Sequence, residues 1–146
     1  MDFSYFCKKY RTEMKKMLAW VRRYKFSLMG VAVILYLCFF KPPSMRLGEI
    51  TNFDKFVHAC MYFGFCSVIW FEYLRSHTVL HPVRMAMGGV VLPILLSGLI
   101  ELGQEYLTPY RSGEWWDFAS NTIGVFCALA GMLIVVAVRR KRGRPT

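Results

Sequence analysis

Residues 97–131, SGLIELGQEYLTPYRSGEWWDFASNTIGVFCALAG, begin and end as lipid-soluble helix, yet their middle carries Glu101, Gln104, Glu105, Arg111, Glu114, Asp117 and Asn121. The apolar flanks predict two membrane-spanning helices, and the centre predicts their connection, with polar groups at both helix ends. The rest of the chain repeats this alternation of apolar runs and charged joints.

The chain has 146 residues, of which 55% are hydrophobic and 16% aromatic. That is one domain by length, and too apolar for an ordinary soluble domain of this size. The net charge of +10 comes from basic blocks beside the apolar runs, with no DNA- or RNA-binding motif among them. It therefore reads as a topology signal, and no nucleic-acid partner is expected. Five cysteines, Cys7, Cys38, Cys60, Cys66 and Cys127, form an odd set with no C-x-x-C. All but Cys7 lie in apolar runs, where thiols act as small hydrophobes, so neither disulfides nor zinc are indicated. The region before the first apolar run is too long for a signal peptide, and CFFKPPS after that run lacks a small-x-small cleavage site, so this segment is expected to stay attached.

Residues 3–21 place Phe3, Phe6, Tyr10, Met14, Met17 and Val21 on one helical face and lysines and Arg11 mostly on the other, the pattern of an interfacial helix with its basic side on anionic headgroups. Four apolar runs follow, at roughly 26–41, 56–74, 85–103 and 118–138, each near the ~20 residues that span a bilayer. The first is short and is expected to borrow Trp20 to Lys25, with Arg22, Arg23 and Lys25 snorkelling, and to end at Pro42 and Pro43. Pro82, Gly88, Gly89, Pro93 and Gly98 predict an irregular, closely approached third helix, and Ser120, Gly124 and Ala128 a small-residue packing ridge on the fourth. Fifteen of the nineteen Lys and Arg residues lie before the first run, between the second and third, or after the fourth, and those segments should face the cytoplasm. The expected fold is an all-α membrane protein: a basic amphipathic interfacial helix (1–25), a bundle of four transmembrane helices (26–138), and a basic tail (139–146), with both termini cytoplasmic.

In that topology three polar stripes meet at the outer membrane level. They are Asp54, His58 and Tyr62; Glu101, Gln104 and Glu105; and Asp117, Asn121 and Gly124, each spaced to share a helix face. Ionisable groups at this depth cost several kcal/mol when unpaired, so they face the bundle interior or a wet cavity. Glu101 and His58 carry this inference best. Asp54, Lys55 and Asp117 also suit plain helix starts, as caps or headgroup anchors.

The stretches DKFVHACMYFGF (54–65) and IELGQEYLTPYRSGEWWDFASNTIGVFCALAG (100–131) resemble the VanZ-like membrane proteins, whose pattern is D-K-x-x-H, then E-x-x-Q, an Arg, and D-x-x-x-N-x-x-G. Asp54, Lys55, His58, Glu101, Gln104, Arg111, Asp117, Asn121 and Gly124 carry the resemblance. It implies a small integral protein of the bacterial cytoplasmic membrane and, for the founding member, a link to resistance to the glycopeptide teicoplanin. It implies no established reaction and no known cofactor.

Chemically, His58, Glu101 and Asp117 are the candidate acid, base or polarising groups, and Asp54, Lys55, Gln104, Arg111 and Asn121 the candidate ligand-binding groups. Their expected partners are membrane lipids and an envelope lipid or glycolipid headgroup. A divalent cation on Asp54, His58, Glu101 and Asp117 is chemically reasonable. Four ligands from three helices without a two-histidine motif are a weak signature, however, and no metal site is assigned. No activated Ser or Cys nucleophile stands out, so catalysis stays open beside simple binding. The plain rival is an ion-pair and amide network that only fixes helix register. Transport is least supported, because the inner halves of the second and fourth runs are almost wholly apolar apart from Glu72.

Overall fold

The computed structural model describes residues 3–40, 53–77, 79–107 and 114–142, and every regular element among them is helical. They form α1 (Phe3–Arg23), α2 (Lys25–Phe39), α3 (Phe53–Ser76), α4 (Pro82–Leu107) and α5 (Trp115–Lys141). The last three are long and apolar enough to cross a membrane. At 15 residues α2 is shorter, about 22 Å at 1.5 Å per residue. The expected stop at Pro42 and Pro43 lies outside the described residues.

The expectation that the first span borrows Trp20 to Lys25 is corrected. Helix α1 ends at Arg23, Tyr24 leaves helical geometry (φ −113°, ψ 31°), and α2 starts at Lys25. The cause lies on α3. The carboxylate of Glu72 accepts from the backbone N–H groups of Phe26 and Ser27, each at 3.0 Å, and from the Ser27 hydroxyl at 2.5 Å. A continuous helix would give those amides to the carbonyls four residues earlier. Glu72 takes them instead and caps a new helix.

Residues 7–23 of α1 are all exposed. Helices α2 to α5 share one core of Ile34 and Cys38 from α2, Tyr62, Phe65, Cys66 and Trp70 from α3, Ile100 from α4, and Val125, Ala128, Met132 and Val136 from α5. Large apolar side chains such as Leu95, Leu99, Ile123, Phe126, Leu133 and Ile134 point outward. An uncovered apolar exterior of this extent is what a hydrocarbon solvent requires.

The tightest contact joins α3 and α5. A Cβ built on Gly124 would lie 2.3 Å from the backbone oxygen of Ala59 and 3.0 Å from the nitrogen of Phe63. The small-residue ridge is thus used at Gly124 and at buried Ala128, whereas the Ser120 hydroxyl turns back to the carbonyl of Trp116 on its own helix.

Irregularity in α4 is also found, as a π turn at Met87–Val91 in which the N–H of Leu92 reaches the carbonyl of Met87, five residues back. Pro93 explains it, because a proline ring has no N–H to give the carbonyl of Gly89 and crowds that carbonyl in a regular helix. Gly89 faces the indole of Trp70, which would lie 2.2 Å from an added Cβ.

Helix α2 runs antiparallel to α3. Its first turn is bonded to Glu72 near the end of α3, and its last turn meets α4, where the amide nitrogen of Gln104 donates to the carbonyl of Cys38 at 2.9 Å.

Candidate functional site

The buried polar side chains are His58, Glu72, Ser97, Glu101, Gln104, Asp117 and Asn121. All but Glu72 gather at one end of the bundle, where α3 and α5 begin and α4 finishes. Helical spacing accounts for this: Asp54 and His58 are one turn apart on α3, as are Asp117 and Asn121 on α5, and both stripes turn into the α3–α5 seam. The close approach at Gly124 lets that seam close, one turn beyond Asn121.

His58 sits at the centre and is 3% exposed. Its Nδ1 lies 3.2 Å from Oδ1 of Asn121, whose amide nitrogen donates to Ser97 Oγ on α4 at 2.9 Å. Its Nε2 lies 3.7 Å from Oδ2 of Asp117 and 4.0 Å from Oδ2 of Asp54. One donor atom from each of Asp54, His58 and Asp117 lies within 4.8 Å of the others. The side chain of Asp117 is 5% exposed, and its Oδ1 has no hydrogen-bond partner among the described residues.

A second chain of contacts runs along the surface of the same end. Oε2 of Glu101 accepts the backbone N–H of Glu114 at 3.3 Å, fixing the entry into α5. The Glu114 carboxylate receives Lys55 Nζ at 3.4 Å, tying α3 to the same point. Beside it is a cavity of about 340 Å³ bounded by Glu101, Glu105 and Glu114 together with Tyr106, Trp115 and Phe118. Trp115 meets Phe118 edge-on, with ring centroids 6.4 Å apart. Three carboxylates and three aromatic rings line it, and no basic side chain does among the described residues.

The structure therefore divides the residues singled out in the sequence. Buried His58, Asp117 and Asn121 come together in one cluster, with exposed Asp54 at its edge. Glu101 and Lys55 meet through Glu114, beside the acidic cavity. Gln104, 1% exposed, spends its amide nitrogen on the backbone of α2, and Gly124 serves helix approach. Arg111 lies outside the described residues. Ser97 and Glu114 join the site although neither was a candidate site residue: Ser97 looks like any small residue of a membrane helix, and Glu114, one of the polar groups of the 97–131 stretch, like a solvated loop charge.

A larger cavity, about 580 Å³, opens at the opposite end between α2, α3 and α4. The end of α1 completes its mainly apolar walls, which include Arg23 of α1 and Arg84 of α4. It is remote from the polar cluster and suits hydrocarbon better than polar chemistry. No family model matches the chain, and neither does any curated protein or solved structure.

Proposed function

We propose that the chain is a VanZ-like protein of the bacterial cytoplasmic membrane, with four spans and both termini inside, that holds a glycolipid or similar envelope-lipid headgroup at its outer face. The observation that carries this reading is the cavity beside Glu101. Its three carboxylates accept hydrogen bonds from hydroxyl or ammonium groups, and Tyr106, Trp115 and Phe118 offer flat faces to a sugar ring. The ligand class this lining favours is rich in hydroxyl or ammonium groups. Catalysis is not assigned.

The fourth span is α2. Its first turn is held by Glu72 and its last by Gln104, so it covers the same depth as the core of α3 despite its length. Helix α1, exposed along residues 7–23, lies in the headgroup region with its basic side toward anionic lipid. Lys and Arg near the α3–α4 joint and both termini support an inside position for those segments. In a background with the five native cysteines replaced by alanine, Tyr106→Cys should react with an impermeant thiol reagent from outside, and Val79→Cys only after the membrane is opened. The reverse pattern would invert the orientation and move the site to the inner face.

The headgroup reading is tested by mass spectrometry of lipids retained by the purified protein. The native chain should be enriched several-fold in glycolipid or aminated lipid over the parent membrane. Glu101→Gln should abolish the enrichment while the melting temperature stays within a few degrees. An unchanged lipid profile in that variant would sink the reading. Early melting with the enrichment intact would favour the rival, a network that only fixes helix packing, for which the bond from Gln104 to α2 already speaks. Teicoplanin susceptibility of cells with and without the chain tests the phenotype that the resemblance implies.

A further inference from the structure

We infer that Asp54, His58 and Asp117 form a site for one divalent transition cation of the Mn²⁺ or Zn²⁺ type. The inference deepens the reading of this end as a ligand-handling face, and its geometry is separate from the acidic cavity. The three donors come from two helices and converge to within 4.8 Å of one another. Bonds of about 2.1 Å to a common ion put neighbouring donors roughly 3 Å apart. The observed 3.7 Å and 4.0 Å separations therefore close around an ion by rotamer adjustments of well under a helix-packing distance.

The far side of the imidazole supplies an independent reason. Asn121 turns its carbonyl oxygen toward Nδ1 because its amide nitrogen is given to Ser97. With an oxygen acceptor there, Nδ1 carries a proton and Nε2 faces the two carboxylates.

A cation fits among donors at this spacing. It also gives the buried Oδ1 of Asp117, without a hydrogen bond among the described residues, a charge to face. The order Ser97, Asn121, His58 is the outer shell that fixes a metal-binding histidine's tautomer.

The donor set selects the ion. Imidazole disfavours Mg²⁺ and Ca²⁺, and two carboxylates without a thiolate favour Mn²⁺ or Zn²⁺. Three protein ligands leave positions for water or for an oxygen of a bound ligand. The surface position of Asp54, whose side chain is 64% exposed, provides the way in.

The test uses the full chain in detergent, stripped with a chelator and titrated with MnCl₂ while the electron paramagnetic resonance signal of free Mn²⁺ is followed. One equivalent should bind per chain and be displaced by Zn²⁺. Asp54→Asn, at a surface position, and Asp117→Asn should each weaken binding by ~10-fold or more, and Asn121→Ala by ~10-fold through loss of the outer shell. No stoichiometric Mn²⁺ binding by the folded native chain, or unchanged affinity in Asp54→Asn, would overturn the inference. Headgroup enrichment without Mn²⁺ binding removes the cation site and leaves the lipid reading standing. Mn²⁺ binding without enrichment does the opposite.

Discussion

Replacing Glu72 by leucine is expected to release α2 from the bundle and to lower stability by about 3 kcal/mol or more, since hydrogen bonds to a charged group contribute ~1.5–3 kcal/mol each. Helix α2 has no acidic residue in its first turn, and Tyr24 makes no side-chain cap. Its leading amides depend on Glu72, which is 4% exposed and approaches them from another helix. A carboxylate there also faces the positive end of the α2 dipole. Leucine fills a similar volume but leaves the amides of Phe26 and Ser27 without an acceptor in a dry setting.

The measurements are thermal melting in detergent and hydrogen exchange at residues 26–28. Glu72→Leu should exchange these amides rapidly. Glu72→Gln, which keeps one acceptor oxygen, should fall between the two. A leucine variant that melts like the native chain with protected α2 amides would show that apolar packing alone docks the helix. The effect should be confined to α2, because the contacts among α3, α4 and α5 do not pass through Glu72.

The contrast between Glu72 and the His58 cluster explains what a sequence of this kind reveals. Asp54 with His58, and Asp117 with Asn121, are visible in advance because their spacing matches a helical turn and a membrane gives each stripe nowhere to go but inward. Glu72 is equally visible as a lone acidic residue in an apolar run. Its role is not, because its partners are backbone amides 45 and 46 residues away, and every residue carries such an amide. The break at Tyr24 is hidden for the same reason: no glycine or proline marks it, and a side chain from another helix imposes it.

Pro93 with Gly88 and Gly89 announces an irregular α4, and the indole of Trp70 packs where a Cβ on Gly89 would stand. Gln104 shows how spacing can mislead. It shares a face with Glu101, yet one turn of helix is enough to carry it from the cavity edge to the back of α2. The electrostatic character of the site was the least accessible feature. Lys55, a candidate ligand-binding group in the sequence, has its ammonium beside the Glu114 carboxylate, next to a cavity lined by Glu101, Glu105 and Glu114.

Gly124→Ala is expected to be strongly damaging and to remove stability and site together. An alanine Cβ would stand 2.3 Å from the Ala59 oxygen and 3.1 Å from its carbonyl carbon, both of them backbone atoms of α3. No rotamer change relieves such a contact, so α3 and α5 must move apart. The cost should reach about 3 kcal/mol, the upper part of the range for overpacking. Separation of the helices also draws Asn121 and Asp117 on α5 away from His58 on α3, so Mn²⁺ affinity and headgroup enrichment should fall with the melting temperature. Gly131→Ala on the same helix is the control: an added Cβ there meets nothing within 4 Å, and alanine favours helix by up to ~1 kcal/mol over glycine. Its stability should be unchanged or slightly raised. If the two variants melt alike, the close approach at Gly124 does not hold the seam. If Gly124→Ala melts early but binds Mn²⁺ as tightly as the native chain, His58 and the two aspartates keep their geometry without that seam, and the positioning role given to Gly124 is wrong.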